Sequence, residues 1–165
     1  MQLAVLFSLL ANQGEARQPY LVESLRSPET GQIVWEHSQQ VMERWEVEGV
    51  GQNVWALIEE GLRQVVDAGT GRGAKIPGYK IFGKTGTAQN PHGEDHALFA
   101  CYLKDQQGKT RLAMSVVIDN GGQGSVAAVP VAKKNPRRVY PHHAGFGAGI
   151  KYELPLATCH LPIKK

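Results

Sequence analysis

Apolar residues recur at helical spacing in two stretches of the chain. The first stretch predicts a short helix that ends at the Asn-Gln-Gly run of residues 12–14; its apolar positions are Leu3, Leu6, Phe7 and Leu10. The second stretch predicts a longer helix, with apolar positions at Val54, Leu57, Ile58, Leu62, Val65 and Val66. We expect Asn53 to cap the start of this helix and Gly69 to end it. Glu59 and Arg63 are expected to pair one turn apart on its exposed face.

Three strand-like segments follow, at residues 79–88, 97–103 and 111–119. Short polar turns separate them, which favours antiparallel pairing. The third segment is apolar on both faces, so we expect a layer on each side of the sheet. One face carries Leu112, Met114, Val116 and Ile118, and the other carries Ala113, Ser115 and Val117.

Turn residues place two further elements. The run from Ser27 to Gly31 lies between short apolar segments and predicts a hairpin. Ser125 is expected to cap a closing helix that runs through Lys134, with Pro130 limiting its regularity. The predicted fold class is therefore α/β of the α+β kind, an antiparallel sheet flanked by helices.

Composition and charge add a further predicted segment only near the end of the chain. The 165 residues are 42% hydrophobic and 20% charged, which is ordinary for a globular domain, and no stretch approaches the roughly 18 apolar residues of a membrane span. Residues 1–132 carry 11 Lys and Arg against 14 Asp and Glu, whereas residues 133–165 carry 7 against Glu153 alone. We interpret residues 135–165 as a basic tail that contains Pro and Gly and is expected to be solvated or disordered. We predict no nucleic-acid partner.

One glycine-rich segment formally matches a phosphate-binding loop. Residues 78–85 fit the pattern G-x-x-x-x-G-K-[ST]. That loop requires a buried strand before its first glycine and a helix after the Lys-Thr pair. Residues 69–77 are loop-like instead, and Thr85 leads towards Asn90-Pro91 rather than into a helical pattern. We therefore do not expect nucleotide binding.

The same segment has a second interpretation, as a Lys-Thr-Gly strand that lines an acyl-transfer site. The run from Gly83 to Gln89 resembles the third active-site motif of penicillin-binding transpeptidases. The flanking order is also similar: a long helix and a Gly-Thr-Gly connection at residues 69–71 precede it, and two strands and the Asn-Gly-Gly run at residues 120–122 follow it. The resemblance covers residues 1–134 and is to the class B, elongation-type peptidoglycan D,D-transpeptidases.

The resemblance implies roles for specific residues. Lys84 would attract the carboxylate of a stem peptide that ends in D-Ala-D-Ala, or of a β-lactam, and the hydroxyls of Thr85 and Thr87 would hydrogen-bond it. Gly86 would allow the substrate to approach the backbone closely. By resemblance, the backbone N–H of Thr87 is one of two oxyanion donors. The loop that leads to His96 borders the substrate cleft in the family, so His96 is expected to contact the substrate.

Two motifs of the family do not occur in these 165 residues. The family attacks with the serine of Ser-x-x-Lys and uses a second motif, Ser/Tyr-x-Asn. None of the six serines has Lys three residues on or Asn two residues on: Ser8, Ser24, Ser27, Ser38, Ser115 and Ser125. We therefore interpret residues 1–134 as the C-terminal part of the domain and expect this polypeptide alone to be inactive. The missing N-terminal part of the same domain would then be a partner.

Other functions remain open at this stage. The chain could be a non-catalytic peptide-binding or interaction module, or a remnant of a β-lactamase or D,D-carboxypeptidase. No anchor or signal is recognised in the sequence, whereas the resemblance implies a parent protein in the cytoplasmic membrane with this domain on the extracytoplasmic side.

Metal and cofactor sites are not expected. His92, Glu94, Asp95 and His96 carry metal-binding groups, but Pro91 and Gly93 argue against the helix that would bring the two histidines together. A second loose set lies in the tail and lacks ligand spacing; its members are His142, His143, Cys159 and His160.

Overall fold

A computed structural model describes residues 1–17, 19–22, 24–38, 41–44, 50–139 and 156–161 of the chain. Within these ranges the helices are α1 (Gln2–Ala11), α2 (Gln52–Asp67) and α3 (Ala128–Val139), with a single 3-10 turn at Arg72–Ala74. The strands are β1 (Glu15–Arg17), β2 (Ser24–Arg26), β3 (Ile33–Glu36), β4 (Val41–Arg44), β5 (Lys80–Ala88), β6 (His96–Lys104), β7 (Thr110–Ile118) and β8 (Leu156–Leu161).

The main sheet has the strand order β5-β6-β7-β8. Strands β5, β6 and β7 pair antiparallel, with Gly83 opposite Cys101 and Cys101 opposite Met114. The three predicted strands and their antiparallel pairing are confirmed. The phosphate-loop pattern is not realised, because its Lys84-Thr85 pair lies inside β5 rather than at the start of a helix.

The sheet is covered on both faces, as the apolar pattern of its third strand predicts. One core joins residues of β5, β6 and β7 to α3 and the 3-10 turn; its largest members include Phe99, Leu112, Met114, Val116 and Val129. The other core joins the opposite face to α1 through Phe7, Ala11, Phe82, Tyr102 and Ala113. The rings of Phe82 and Tyr102 stack with their centroids 4.8 Å apart.

The predicted hairpin is confirmed as β2 and β3, which pair antiparallel. Its turn is closed by Ser27, whose hydroxyl oxygen accepts hydrogen bonds from the N–H groups of Glu29 and Thr30, both at 3.3 Å. Gly31 follows in the left-handed region at φ 70°, where glycine is favoured. The large apolar side chains of this hairpin are exposed, and they contribute nothing to either core.

Helix α2 differs from the prediction in its cap and in its ion pairs. Gly51, not Asn53, is the N-cap residue, and no side chain caps the helix. Arg63 pairs with Glu60 at 2.7 Å and with Asp67, so its expected pairing with Glu59 is wrong. Glu59 instead reaches Lys104 of the sheet at 2.7 Å. The reason is its position: Glu59 is turned towards the end of β6, where both partners are largely shielded from water.

The closing helix is longer than predicted. Residues 124–127 form turns, and α3 begins at Ala128 and continues past Lys134 to Val139. Pro130 lies in the first turn, where a helix has no internal acceptor for the missing N–H. The chain then contributes β8, which pairs parallel with β7 and lies within the region we interpret as a tail. The predicted boundary between residues 134 and 135 stays a prediction.

Helix α1 ends as predicted: Gln13 and Gly14 both take positive φ, 53° and 103°, which reverses the chain. Over the residues that the structure describes, no helix has the length and apolar character needed to cross a membrane.

Candidate active-site strand

Strand β5 changes character at Lys84. Ile81, Phe82 and Gly83 are buried, whereas Lys84, Thr87 and the residue after it are exposed and Thr85 and Gly86 are intermediate. β5 is one of the two edge strands of the described sheet, with β6 as its strand neighbour. The Lys-Thr-Gly-Thr run therefore lies on the exposed half of an edge strand.

Strand alternation divides the four motif residues between the two faces of the sheet. Lys84 and Gly86 share the face of Phe82, which is the α1 side. Thr85 and Thr87 share the face of Ile81, which is the α3 side.

Among the described residues, two hydrogen bonds involve side chains of the motif. The Lys84 ammonium (Nζ) donates to the carbonyl oxygen of Thr85 at 2.7 Å. The hydroxyls of Thr85 and Thr70 lie 2.6 Å apart, and either can be the donor. Thr70 belongs to the Gly-Thr-Gly connection after α2. This contact therefore joins the connection to β5 in space, whereas the sequence shows only that one precedes the other.

Glycines allow the backbone to pack closely around the motif. A Cβ atom added at Gly83 would lie 2.8 Å from both Phe99 Cζ and Cys101 Cβ. A Cβ added at Gly124 would lie 2.5 Å from the carbonyl oxygen of Gly86, and it would also meet the carbonyl of Leu98. Gly124 therefore lies directly against the backbone of β5 and β6 at the motif. Sequence reasoning missed this contact, and its only signal was the glycine-rich run after β7.

His96 binds the end of β7. Its Nδ1 atom accepts a hydrogen bond from the backbone N–H of Asn120 at 3.1 Å and lies 3.6 Å from a carboxylate oxygen of Asp119. In the strand register His96 is opposite Ala88, at the same end of the sheet as Thr87. The predicted contact of His96 with substrate stays a prediction.

The loop between β5 and β6 is held by its own polar groups. Asn90 donates through its side-chain amide to Asn120 Oδ1 at 2.8 Å and accepts from the backbone N–H of His92 at 3.0 Å. Asp95 accepts from the backbone N–H of Asn90 and, through its carbonyl oxygen, from Gly122. Residues 91–94 form turns and bends, so His92 and His96 do not share a helical face. In the described part of the chain, no three His, Cys, Asp or Glu side chains converge as metal ligands. His142 and His143 lie outside the described residues, as do the side chains of Cys159 and His160.

The fold is that of penicillin-recognising transpeptidase domains. The chain is similar to the D,D-transpeptidase domain of a peptidoglycan glycosyltransferase from Eggerthella lenta, with 26% identity and a TM-score of 0.60 over 82% of this chain and 31% of that one. It is also similar to penicillin-binding protein A from M. tuberculosis, solved as an imipenem acyl-enzyme complex, with 27% identity and a TM-score of 0.62 over 82% of this chain and 29% of that one.

The chain belongs to the penicillin-binding protein transpeptidase domain family, whose model matches residues 1–136. It is 35% identical to the peptidoglycan D,D-transpeptidase MrdA of Acinetobacter baumannii over 61% of this chain. It is 31% identical to the peptidoglycan D,D-transpeptidase PbpA of Mycolicibacterium smegmatis over 81% of this chain. The match spans 19% of the first relative and 27% of the second. The predicted resemblance and fold class are confirmed.

Proposed function

We propose that this chain forms the Lys-Thr-Gly wall of a D,D-transpeptidase active site that acts in peptidoglycan cross-linking. The observation that carries the proposal is the change in β5 from a buried half to an exposed half at Lys84. A cation, two hydroxyls and a glycine follow one another on that exposed half, along an edge of the sheet that has no strand neighbour among the described residues. An open edge can bind an extended peptide as an added strand.

The first role is capture of a carboxylate. Within the described part of the chain, the Lys84 ammonium donates to one neutral acceptor, the carbonyl of Thr85 at 2.7 Å. A carboxylate is a stronger partner for an ammonium than a neutral carbonyl, because the attraction between two opposite full charges adds to the hydrogen bond. The terminal carboxylate of a D-Ala-D-Ala peptide, or the carboxylate of a β-lactam, would therefore replace the carbonyl. Because Lys84 and the two threonines lie on opposite faces of β5, a carboxylate that meets all three would lie at the strand edge, where the hydroxyls of Thr85 and Thr87 would complete the site.

The second role is stabilisation of an oxyanion. Alternate residues of an edge strand direct their N–H and C=O groups away from the neighbouring strand. The Thr85 carbonyl accepts from the Lys84 ammonium, which indicates that it points away from β6. Thr87 lies two residues further along the strand, so its N–H points in the same direction. We assign the outward N–H of Thr87 as one oxyanion donor. Loss of such a donor typically costs about 2.7–4 kcal/mol of transition-state stabilisation.

The third element of the proposal is that the nucleophile comes from polypeptide outside these 165 residues, which contain no Ser-x-x-Lys. Without nucleophile and base, the strand can position a substrate but cannot be acylated. We expect no band when the purified 165-residue chain is incubated with a fluorescent penicillin and separated by denaturing electrophoresis. A labelled band that survives denaturation would contradict this element.

Peptide binding tests whether the Lys-Thr-Gly strand recognises a carboxylate. We expect an N-acetylated peptide that ends in D-Ala-D-Ala to bind the chain reversibly and more tightly than its C-terminal amide. Lys84→Met should abolish this preference for the carboxylate. Lys80→Met is the matched control, because Lys80 is an exposed lysine at the other end of the same strand. Equal affinity for acid and amide in the wild-type chain would overturn the proposal.

A second candidate is a non-catalytic peptide-binding module, which the absence of Ser-x-x-Lys favours. Both candidates predict peptide binding to the chain. They differ in the cell: an extracytoplasmic transpeptidase in the cytoplasmic membrane is expected to be labelled by a penicillin added to intact cells. The native product that contains this chain, recovered by an antibody against residues 50–134, would carry the label for the enzyme and no label for the module.

A further inference from the structure

The Gly-Thr-Gly connection at residues 69–71 brings the hydroxyl of Thr70 to the motif. Thr70 Oγ1 lies 2.6 Å from Thr85 Oγ1, across fifteen positions of sequence. Thr85 is one of the two hydroxyl residues in the proposed carboxylate site. We propose that Thr70 is a positioning residue for that site, and that it donates its proton to Thr85 so that Thr85 can donate to the carboxylate. This inference rests on the proposed function.

The connection holds Thr70 in place from both sides. The N–H of Gly69 donates to the carbonyl of Gln64 at 3.1 Å, and the N–H of Gly71 donates to the carbonyl of Val65 at 2.9 Å. Both glycines lie against the last turn of α2. A Cβ added at Gly69 would be 2.9 Å from the carbonyl oxygen of Val65, and a Cβ added at Gly71 would be 3.2 Å from the same oxygen. The backbone on each side of Thr70 is therefore tied to α2.

The next residues tie the connection to the core. Ala74 is buried at 2% exposure, and a Cβ added at Gly73 would lie 3.0 Å from Val129 of α3. Lys75 donates from its ammonium to the carbonyl of Asp67 at 3.0 Å. Thr70 therefore projects from a segment that α2 and α3 both hold, while Thr85 projects from the sheet.

The single proton of each hydroxyl sets the direction of the hydrogen bond between Thr70 and Thr85 when a carboxylate is bound. A threonine hydroxyl carries one proton and can accept through its lone pairs. A carboxylate only accepts, so the Thr85 proton must point to the ligand when the site is filled. Thr85 can then keep its contact with Thr70 only as the acceptor, which makes Thr70 the donor. Accepting one hydrogen bond also polarises Thr85 as a donor, because chains of hydrogen bonds strengthen one another.

The test compares Thr70→Val, which has the same shape without a hydroxyl, with Thr70→Ser, which keeps it. The ligand is the N-acetylated D-Ala-D-Ala peptide, titrated into the 165-residue chain. We expect Thr70→Val to weaken binding about threefold to tenfold, the range of one hydrogen bond, and Thr70→Ser to remain within about twofold of wild type. The unfolding free energy of each variant is measured beside its affinity. Equal losses in the valine and serine variants would show a merely structural role and overturn the inference.

A double-mutant cycle isolates the pair. Once Thr85→Val has removed the acceptor, Thr70→Val should have no further effect on peptide binding. An additional loss equal to that of the single variant would overturn the inference, because Thr70 would then act independently of Thr85. If the wild-type chain binds the acid and Lys84→Met loses it, but Thr70→Val binds like wild type, the inference fails and the proposed function stands. If the wild-type chain shows no preference for the acid, both fail.

Discussion

The two halves of β5 follow each other on one strand yet obey different constraints. The inner half, residues 80–83, has three consecutive buried positions between the two cores, and the outer half, residues 84–88, is largely exposed. Residues 81–83 of the inner half are packed against the cores on the two faces of the sheet, so their size decides whether the sheet can form. A residue in the outer half has solvent beside it, so its functional groups remain available to a ligand. The residues that pack the cores and the residues available to a ligand therefore occupy separate segments of one nine-residue strand.

The largest effect on stability is expected from a substitution that leaves a cavity in the inner half. Phe82 is 3% exposed and stacks on Tyr102, so Phe82→Ala should lower the unfolding free energy by about 3–5 kcal/mol. Urea denaturation measures the loss. Phe82→Leu keeps most of the volume and should cost less than about 1.5 kcal/mol, which keeps the test readable if the alanine variant does not fold. A small loss in Phe82→Ala would show that the inner half is not held by packing.

A smaller effect is expected where atoms are added rather than removed. Gly83 and Gly86 lie three residues apart, one in each half. Gly83→Ala would bring a Cβ within 2.8 Å of Phe99 and Cys101 and within 3.0 Å of the Ala100 carbonyl, and it should cost about 1–3 kcal/mol. Gly86→Ala would meet Leu98 Cβ at 3.4 Å, an ordinary contact, and should change stability by less than about 0.5 kcal/mol. Equal losses in denaturant unfolding would erase the distinction between the halves.

The turn at the inner end of the sheet offers a pH test. Asp105 is nearly buried, and its carboxylate accepts from the backbone N–H of Lys109 at 2.8 Å and from the guanidinium of Arg111 at 2.6 Å. Burial raises the pKa of Asp105, but these hydrogen bonds and the Arg111 charge outweigh it and hold the pKa below its ordinary value. A depressed folded pKa stabilises above the unfolded pKa of about 4, and this contribution is lost as the pH falls through the folded value.

We therefore expect Asp105→Asn to cost about 1–2 kcal/mol at pH 7 and less than that at pH 3, as measured by urea unfolding at each pH. Glu29→Gln in the exposed hairpin turn is the control and should stay within about 0.5 kcal/mol of wild type at both values. A deficit of Asp105→Asn that grows on acidification would contradict the sign of the shift.

The sequence predicts the sheet well because β7 places large apolar residues at every second position and because short polar turns separate the three strands. That period appears directly in the run from Leu112 to Ile118. The end of α1 is predictable for a similarly local reason, since Gln13-Gly14 takes the positive φ that stops a helix. The motif is recognisable because its residue types and its neighbours along the chain are distinctive.

The contacts that were missed depend on distance in space rather than on local pattern. An arginine can pair with an acid three or four residues away, so the choice of Glu60 over Glu59 by Arg63 is decided by where Lys104 lies in the sheet. The contact of Thr70 with Thr85 requires the geometry of the turn after α2, and the approach of Gly124 to Gly86 requires the whole antiparallel sheet. Neither contact produces a repeating pattern of residues from which it could be predicted.

The smallest effect on stability is expected at Lys84, the first residue of the outer half. Its side chain is exposed, and its contact with the Thr85 carbonyl can be replaced by water, so Lys84→Met should change the unfolding free energy by less than about 0.5 kcal/mol. The same variant is expected to lose the preference for a peptide carboxylate. The two measurements together separate the halves of β5, because a change that leaves folding intact and removes recognition can only act through the exposed group. A loss of stability above about 1.5 kcal/mol would instead mean that Lys84 supports the sheet, and the loss of binding in this variant would no longer point to an ammonium that meets the ligand.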